Sequence, residues 1–280
     1  LDATVASHFD TCLGCYACVT ACPSGVRYDQ LIEYTRPKLI EAGQRNPWQV
    51  AFRQVLLQVL PYPSRLRALL QPLRVYAGTP LQTLARRTGL TRLFGPEIAA
   101  MEQLLPALAA ESFNDALPTI NPATDKCRGR VALLLGCVQR CFDPAVSNAT
   151  VKVLQANGFE VLIPPDQGCC GAVSHHQGEE ELTRRLGADL VRSFNEIEGD
   201  LDAVLVAASG CGHTMKAYGD LLNGDTQFRA PVLDVQEFLA DRGLTETFQQ
   251  QLQPLPTAVA MHDACHMIHG QGIQAQPRQL

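Results

Sequence analysis

The sequence has no long hydrophobic run. Its longest apolar stretches, such as Val131–Leu135 and Ala203–Ala208, fall far short of the roughly 18 residues that a membrane-spanning helix needs. It has no secretory leader pattern, and no G-x-G-x-x-G or P-loop pattern follows an apolar strand, which leaves nucleotide binding without support. Basic residues are the minority: 23 Lys and Arg stand against 28 Asp and Glu, a net charge of −5. With no nucleic-acid-binding motif either, that balance argues against nucleic acid as a partner. At 280 residues, 46% of them apolar, the chain can bury a sizeable core in one or two domains.

What the chain has in plenty is cysteine. Eleven are present, several at metal-type spacings, and without a secretory signal they point to a reducing, cytoplasmic setting and not to a disulfide framework. Cys12, Cys15, Cys18 and Cys22 stand in C-L-G-C-Y-A-C-V-T-A-C-P, the C-x2-C-x2-C-x3-C-P spacing that wraps short loops around a [4Fe–4S] cluster. Thiolates so spaced can face one cubane, while Pro23 turns the chain away. A zinc ribbon, the alternative, would want two separated C-x2-C pairs.

In two-cluster ferredoxins the first three cysteines of such a run hold one cluster and the fourth holds the other. By that logic Cys12, Cys15 and Cys18 share a cluster here, and Cys22 reaches toward a second. Only eleven residues precede Cys12 and none is cysteine, so the companion motif is expected upstream of Leu1. The sequence reads as an internal piece of a longer chain, which would leave its N-terminal cluster short of one ligand.

Charge is uneven. Residues 1–26 carry two acids and no bases, residues 27–130 carry fourteen bases and eight acids, and residues 131–280 carry nine bases and eighteen acids. Arg45–Arg92 holds eight arginines and no acid. That stretch is either a solvated helical face or a docking surface for an acidic subunit or an anionic membrane, the latter making the protein peripheral at the cytoplasmic membrane face.

The region to residue 112 reads as helical after the cysteine loop. Tyr28, Leu31, Ile32, Leu39 and Ile40 recur at helical spacing up to Gly43, and Trp48, Phe52, Val55, Leu56, Val59 and Leu60 do so up to Pro61. Ser64 and Thr79 are expected N-caps, the latter followed by Pro80. Residues 113–129, with Pro118 and Pro122, read as a linker.

From Arg130 short apolar strands alternate with helices, the pattern of an α/β domain with a mostly parallel sheet. The expected strands are Val131–Leu135, Phe159–Ile163 and Ala203–Ala208, with helices from Pro144 to Gly158 and from Gly178 to Glu198. Each strand runs into cysteine: Gly136–Cys137, Cys169–Cys170–Gly171, and Ser209–Gly210–Cys211–Gly212. The carboxyl edge of such sheets gathers ligands. Cys137, Cys169, Cys170 and Cys211 are therefore expected to converge, as ligands of a second iron–sulfur cluster, of a tetrahedral zinc, or as redox-active thiols. Gly136 and Gly210 suit tight turns, and Gly171 a close backbone approach.

Cys127 and Cys141 read as free thiols, His175 and His176 as exposed loop residues, and His213 as a neighbour able to tune the site. Ala258–Cys265 repeats the pattern of an apolar strand ending in cysteine. Aligning Cys265 with Cys137 gives an internal repeat of 128 residues. The expected organisation is a helical ferredoxin-like [4Fe–4S] module over 1–112, a linker over 113–129, a cysteine-rich α/β domain over 130–256, and the start of its second copy over 257–280, where Cys265 alone cannot hold a cluster.

Cys22–Tyr28, Gly136–Cys137, Gly168–Val173 and Ala208–Gly212, on these two modules, resemble the iron–sulfur subunits of the glycolate oxidase family. The resemblance implies an electron-relay subunit of a glycolate dehydrogenase, with the substrate-oxidising FAD on partner subunits and a quinone-type acceptor. It implies that Cys12, Cys15, Cys18 and Cys22 are ferredoxin-type ligands and that Cys137, Cys169, Cys170 and Cys211 form the Cys-Cys-Gly motif, with no catalytic residue in this chain. Related subunits serve lactate utilisation, glycerol-3-phosphate oxidation and heterodisulfide reduction. The heterodisulfide type ends its motif in C-x-x-C, whereas Cys211 here is followed by Gly212, His213 and Thr214.

Overall fold

A computed structural model describes residues 2–43, 45–115, 117–222, 224 and 226–280. The chain begins with helices: α1 (Ala3–Thr11), the one-turn α2 (Ala17–Ala21), α3 (Tyr28–Glu41), α4 (Pro47–Val59), α5 (Pro63–Leu70), α6 (Pro80–Thr88) and α7 (Pro96–Leu104). Their boundaries follow local chemistry. Asp2 caps α1 by accepting from the Val5 N–H at 2.9 Å, and Asn46 with Gln49 forms a capping box on α4, whose first residue is proline. Gly89 ends α6 in the left-handed conformation, at φ +68°. Thr79 does precede α6, but its hydroxyl turns back to the Tyr76 carbonyl and caps nothing. Ser64 is not a cap. Pro63 already occupies the first position of α5, and Tyr62 stands before it.

From residue 120 the chain builds a five-stranded sheet, β1 (Ile120–Asn121), β2 (Gly129–Leu134), β3 (Phe159–Leu162), β4 (Ala203–Val206) and β5 (Val232–Asp234), in the order β1-β3-β2-β4-β5. All neighbours are parallel except β1, which pairs antiparallel with β3. Helices α8 (Gln139–Phe142), α9 (Pro144–Ala156), α10 (Ala172–His176), α11 (Glu180–Asn195), α12 (Ser209–Lys216), α13 (Tyr218–Leu221), α14 (Val235–Arg242) and α15 (Glu246–Gln251) follow or separate the strands.

Alternation along the strands divides the core in two. Val131, Leu133, Val161 and Leu205 face α9 and α14, where Leu154, Phe238 and Leu239 close one layer. Ala132, Leu134, Val204 and Val206 face α11 to α13, where Leu190, Phe194, Met215 and Tyr218 close the other. Both faces are covered, which is why the strands read as mainly apolar runs, with the Arg130–Glu160 pair at the start of β2 and β3 as the exception. The sheet is doubly wound, and its direction of travel reverses at β2, between β3 and β4.

Three further expectations need correction here. Residues 120–121, placed in the linker, form an edge strand. Ser209–Gly212 is not a turn: it opens α12, so Gly210 is helical, while Gly136 does turn at φ +73°. Residues 258–264 form no strand; Val259 and Met261 are exposed, because this segment has no neighbouring ladder to satisfy its backbone. Beyond it His266–Gly270 forms a π-turn and Gln276–Gln279 a last helix, α16.

Candidate functional site

The reversal of strand order puts the carboxyl ends of β2, β3 and β4 side by side, and the loops leaving them carry the cysteines. Cys137 follows β2, Cys169 and Cys170 follow the β3 loop, and Cys211 lies in the first turn of α12 after β4. Cys137, Cys169 and Cys170 are buried and Cys211 is half-buried. Their thiols form a row. Cys137 Sγ donates to Cys169 Sγ at 3.2 Å, Cys169 adjoins Cys170, and Cys170 contacts Cys211.

The row explains its own electrostatics. The hydrogen bond to Cys169 and then burial push the Cys137 thiol up. At Cys169 the bond from Cys137 pulls down, but the bond to Cys170 and burial outweigh it and push the thiol up to about 12. Cys170 is also raised, through Cys211 and burial, against the pull of Cys169.

The backbone around the row is held by side chains that the sequence reading missed. Buried Gln167 accepts from the Leu135 N–H at 2.7 Å and donates to the Leu133 and Pro164 carbonyls, each at 3.2 Å, which stitches the end of β2 to the β3 loop. Arg140, also buried, donates to the Gly136 carbonyl at 3.0 Å and the Gln167 carbonyl at 3.4 Å, and meets Asp115 at 3.5 Å. The Tyr218 hydroxyl donates to the Cys170 carbonyl. Gly171 sits at φ +78°, where a Cβ would lie 3.2 Å from the Thr183 carbonyl oxygen. The available signals were proximity to the cysteines and, for Arg140, a charge in an otherwise apolar stretch.

The N-terminal cysteines occupy the loop from the end of α1 through α2. Cys12, Cys15 and Cys22 are half-buried and Cys18 is exposed. The Gly14 N–H donates to Cys12 Sγ at 3.4 Å. Backbone N–H groups of Val26 and Ser24 point at the Cys22 sulfur and hold its thiol below the ordinary range, the environment a bound thiolate requires. Between Cys15 and α2, Tyr16 takes φ +60°, the only non-glycine residue at positive φ among the described residues.

Cys127 is exposed two residues before β2, and Cys141 is buried in α8 against Leu66, Leu70 and Phe113; neither joins the row. Cys265 is exposed beside the π-turn. His175 and His176 are not loop residues: both lie in α10, partly buried, and the ring of His176 is held down to about 3 by burial and by the nearby His175 and His266. Among the described residues no set of three or more His, Cys, Asp or Glu side chains surrounds a single-ion position. Four soft thiols are ligands that either an iron–sulfur group or a tetrahedral zinc would accept.

The arginine stretch is partly spent inside the molecule. Arg45 pairs with Asp10, Arg53 with Glu179 and the Gln177 carbonyl, Arg67 with Asp115 and Arg86 with Glu102. Arg74, Arg87 and Arg92 remain exposed, among exposed Leu81, Leu84, Leu90, Leu93 and Phe94. No helix among the described residues is long and apolar enough to cross a membrane.

Three family models match: a 4Fe-4S binding domain over residues 7–28, the linker region of the glycolate oxidase iron–sulfur subunit over 48–105, and a cysteine-rich domain over 131–216. The chain is 31% identical, over its whole length, to the probable glycolate oxidase iron–sulfur subunit of Bacillus subtilis (strain 168). It is 32% identical, over 96% of its length, to the glycolate oxidase iron–sulfur subunit of Escherichia coli (strain K12). It spans 64% and 61% of those two relatives. Over 54% of its length it is 27% identical to lactate utilization protein A of an Exiguobacterium species, covering 62% of that protein. No solved structure matches. The cysteine motif, the linker region and the cysteine-rich α/β domain thus each match a family model, and the chain as a whole is similar to glycolate oxidase iron–sulfur subunits, of which it spans less than two thirds.

Proposed function

We propose that the protein relays electrons within a glycolate dehydrogenase, from an FAD-containing subunit that oxidises glycolate to glyoxylate toward a quinone-type acceptor. The observation that carries the reading is the meeting of Cys137, Cys169, Cys170 and Cys211, from three strand ends, in one largely buried row. Cys12, Cys15 and Cys18 would hold a [4Fe–4S] cluster, with Cys22 directed to a second, and the row would hold another iron–sulfur group. When bound, such groups accept and give up single electrons at potentials set by their surroundings. The chain's own part is to supply thiolates, exclude water from the row, and aim backbone N–H groups at Cys12 and Cys22.

The division into a helical module over 1–112, a linker over 113–129, a cysteine-rich domain over 130–256 and a second repeat from 257 belongs to the same proposal. So does a cytoplasmic setting with peripheral membrane contact, for which exposed Leu81, Leu84, Leu93 and Phe94 beside Arg87 and Arg92 offer apolar and cationic anchors. The resemblance to lactate utilization protein A makes a lactate dehydrogenase subunit the second reading.

The test is anaerobic. The full chain is purified with its flavoprotein partners, given glycolate or D-lactate, and followed by electron paramagnetic resonance. Cluster reduction by glycolate in preference to lactate is expected. Reduction by lactate alone would transfer the assignment to the second reading, and clusters reducible by dithionite but by neither donor would end it.

A further inference from the structure

Four rings meet where the N-terminal cysteine loop touches the thiol edge of the sheet. The buried ring of Tyr16 lies 5.1 Å from His213, 5.2 Å from His266 and 6.1 Å from His176, centroid to centroid. His266 is sandwiched between the other two imidazoles, 4.9 Å from His176 at 1° and 5.5 Å from His213 at 2°. The four residues come from four separate stretches of chain: the loop before α2, α10, α12 and the π-turn.

Hydrogen bonds across the boundary fix them. His266 Nε2 donates to the Gly14 carbonyl at 2.9 Å, and His213 Nδ1 donates to the Gly270 carbonyl at 3.1 Å. Buried Arg36 of α3 donates to the Cys12 carbonyl at 2.5 Å and to the His176 carbonyl at 2.6 Å, joining the two sides directly. The Tyr16 hydroxyl donates to Glu33 Oε1 at 2.7 Å, and His175 meets the same oxygen at 3.0 Å. The fit admits no extra atom: a Cβ on Gly270 would lie 2.6 Å from His213 Nδ1, and one on Gly212 3.0 Å from the Gln271 amide. His176 Nε2 is buried without a partner, an arrangement that stability alone does not favour.

We propose that this ring stack is the joint between the two thiol sites, holding them at a fixed separation and filling the space between them with the packed matter through which an electron crosses. Tyr16 adjoins Cys15 and His213 lies two residues beyond Cys211, so the contact between their rings ties the loop of one site to the loop of the other. The inference rests on the relay reading and names residues for it. In the step concerned one electron leaves one cluster and arrives at the other. No bond forms or breaks, and the rings are neither oxidised nor reduced. The four residues are positioning residues.

The test uses the full chain, anaerobically reconstituted with iron and sulfide, and compares it with His266→Ala and His266→Phe. Phenylalanine keeps the stack and loses the bond to Gly14. Iron and sulfide are counted, the magnetic coupling between the two dithionite-reduced clusters is measured, and electron redistribution after substoichiometric dithionite is followed by freeze-quench. The expectation is that H266A weakens the coupling and slows redistribution at least tenfold at unchanged iron content, while H266F stays within about threefold of the parent. Coupling and rate unchanged in H266A would overturn the proposal, as would H266F slowing as much as H266A. A thiol row that takes up no iron and sulfide in the unsubstituted chain is a separate result, which would overturn the relay reading and the joint with it.

Discussion

Tyr218 donates its hydroxyl hydrogen to the main-chain oxygen of Cys170 at 2.7 Å, from a ring only 1% exposed. The carbonyl between the vicinal cysteines and Gly171 thus has its partner 48 residues further along the chain, in α13. Tyr218→Phe leaves that oxygen beside a ring that cannot donate, a loss of about 1–3 kcal/mol. Denaturant unfolding is expected to show this, together with reduced iron retention in the cysteine-rich domain. An unchanged midpoint would mean that the carbonyl finds another donor.

Arg140 is expected to matter more than its ionic partner. It binds the carbonyls of Gly136 and Gln167 from a buried position, so Arg140→Met should cost about 3 kcal/mol. Asp115 is exposed, and Asp115→Asn should cost under about 1 kcal/mol. Equal losses in the two variants would contradict this ordering.

Asp115 also gives the acid limb of stability a direction. Burial alone would raise its carboxyl, but hydrogen bonds from Arg67 and the charge of Arg140 prevail and hold it below the ordinary value. A carboxylate depressed in the folded state contributes stability that is complete above its unfolded pKa, near 3.9, and lost as pH falls through the lower folded value. Urea titrations from pH 5 downward should therefore show a shallower decline in Asp115→Asn than in the parent chain. Identical slopes would remove Asp115 from the account.

Gly171→Ala should strain the backbone by about 1–2 kcal/mol through its positive φ. It also crowds the Thr183 carbonyl. Lower cluster content with the fold intact, by far-ultraviolet circular dichroism and iron analysis, is the expected signature.

Leu84→Glu combined with Leu93→Glu removes two exposed apolar anchors and opposes the charges of Arg87 and Arg92. Sedimentation with vesicles of phosphatidylglycerol and phosphatidylcholine should fall severalfold and should weaken with salt. Binding that persists in the double variant would place membrane contact elsewhere, and no binding by the parent would exclude this surface.

The interior strands were legible because Val131–Leu135 and Ala203–Ala208 are apolar without interruption and Phe159–Ile163 is broken only by Glu160, as suits strands covered on both faces. Two edge strands were not. Val232–Asp234 and Ile120–Asn121 are too short to show a period, and the latter sits between prolines. Ala258–Cys265 looked like a strand because composition reports what a segment prefers, while a strand exists only where a neighbour offers hydrogen bonds. The cysteines announced themselves through spacing. Gln167, Arg140 and the ring stack did not, because each joins residues far apart in the chain and nothing local marks the pairing.

The two-residue strand β1 has a consequence for growth. By lying antiparallel against β3 it occupies one margin of the sheet, and the other margin, β5, offers a ladder of only three residues before Asp234 turns the chain into α14. A sheet bounded in this way has little left to lend to another strand. Short margins of this kind disfavour the edge-to-edge strand pairing that leads exposed sheets into aggregates.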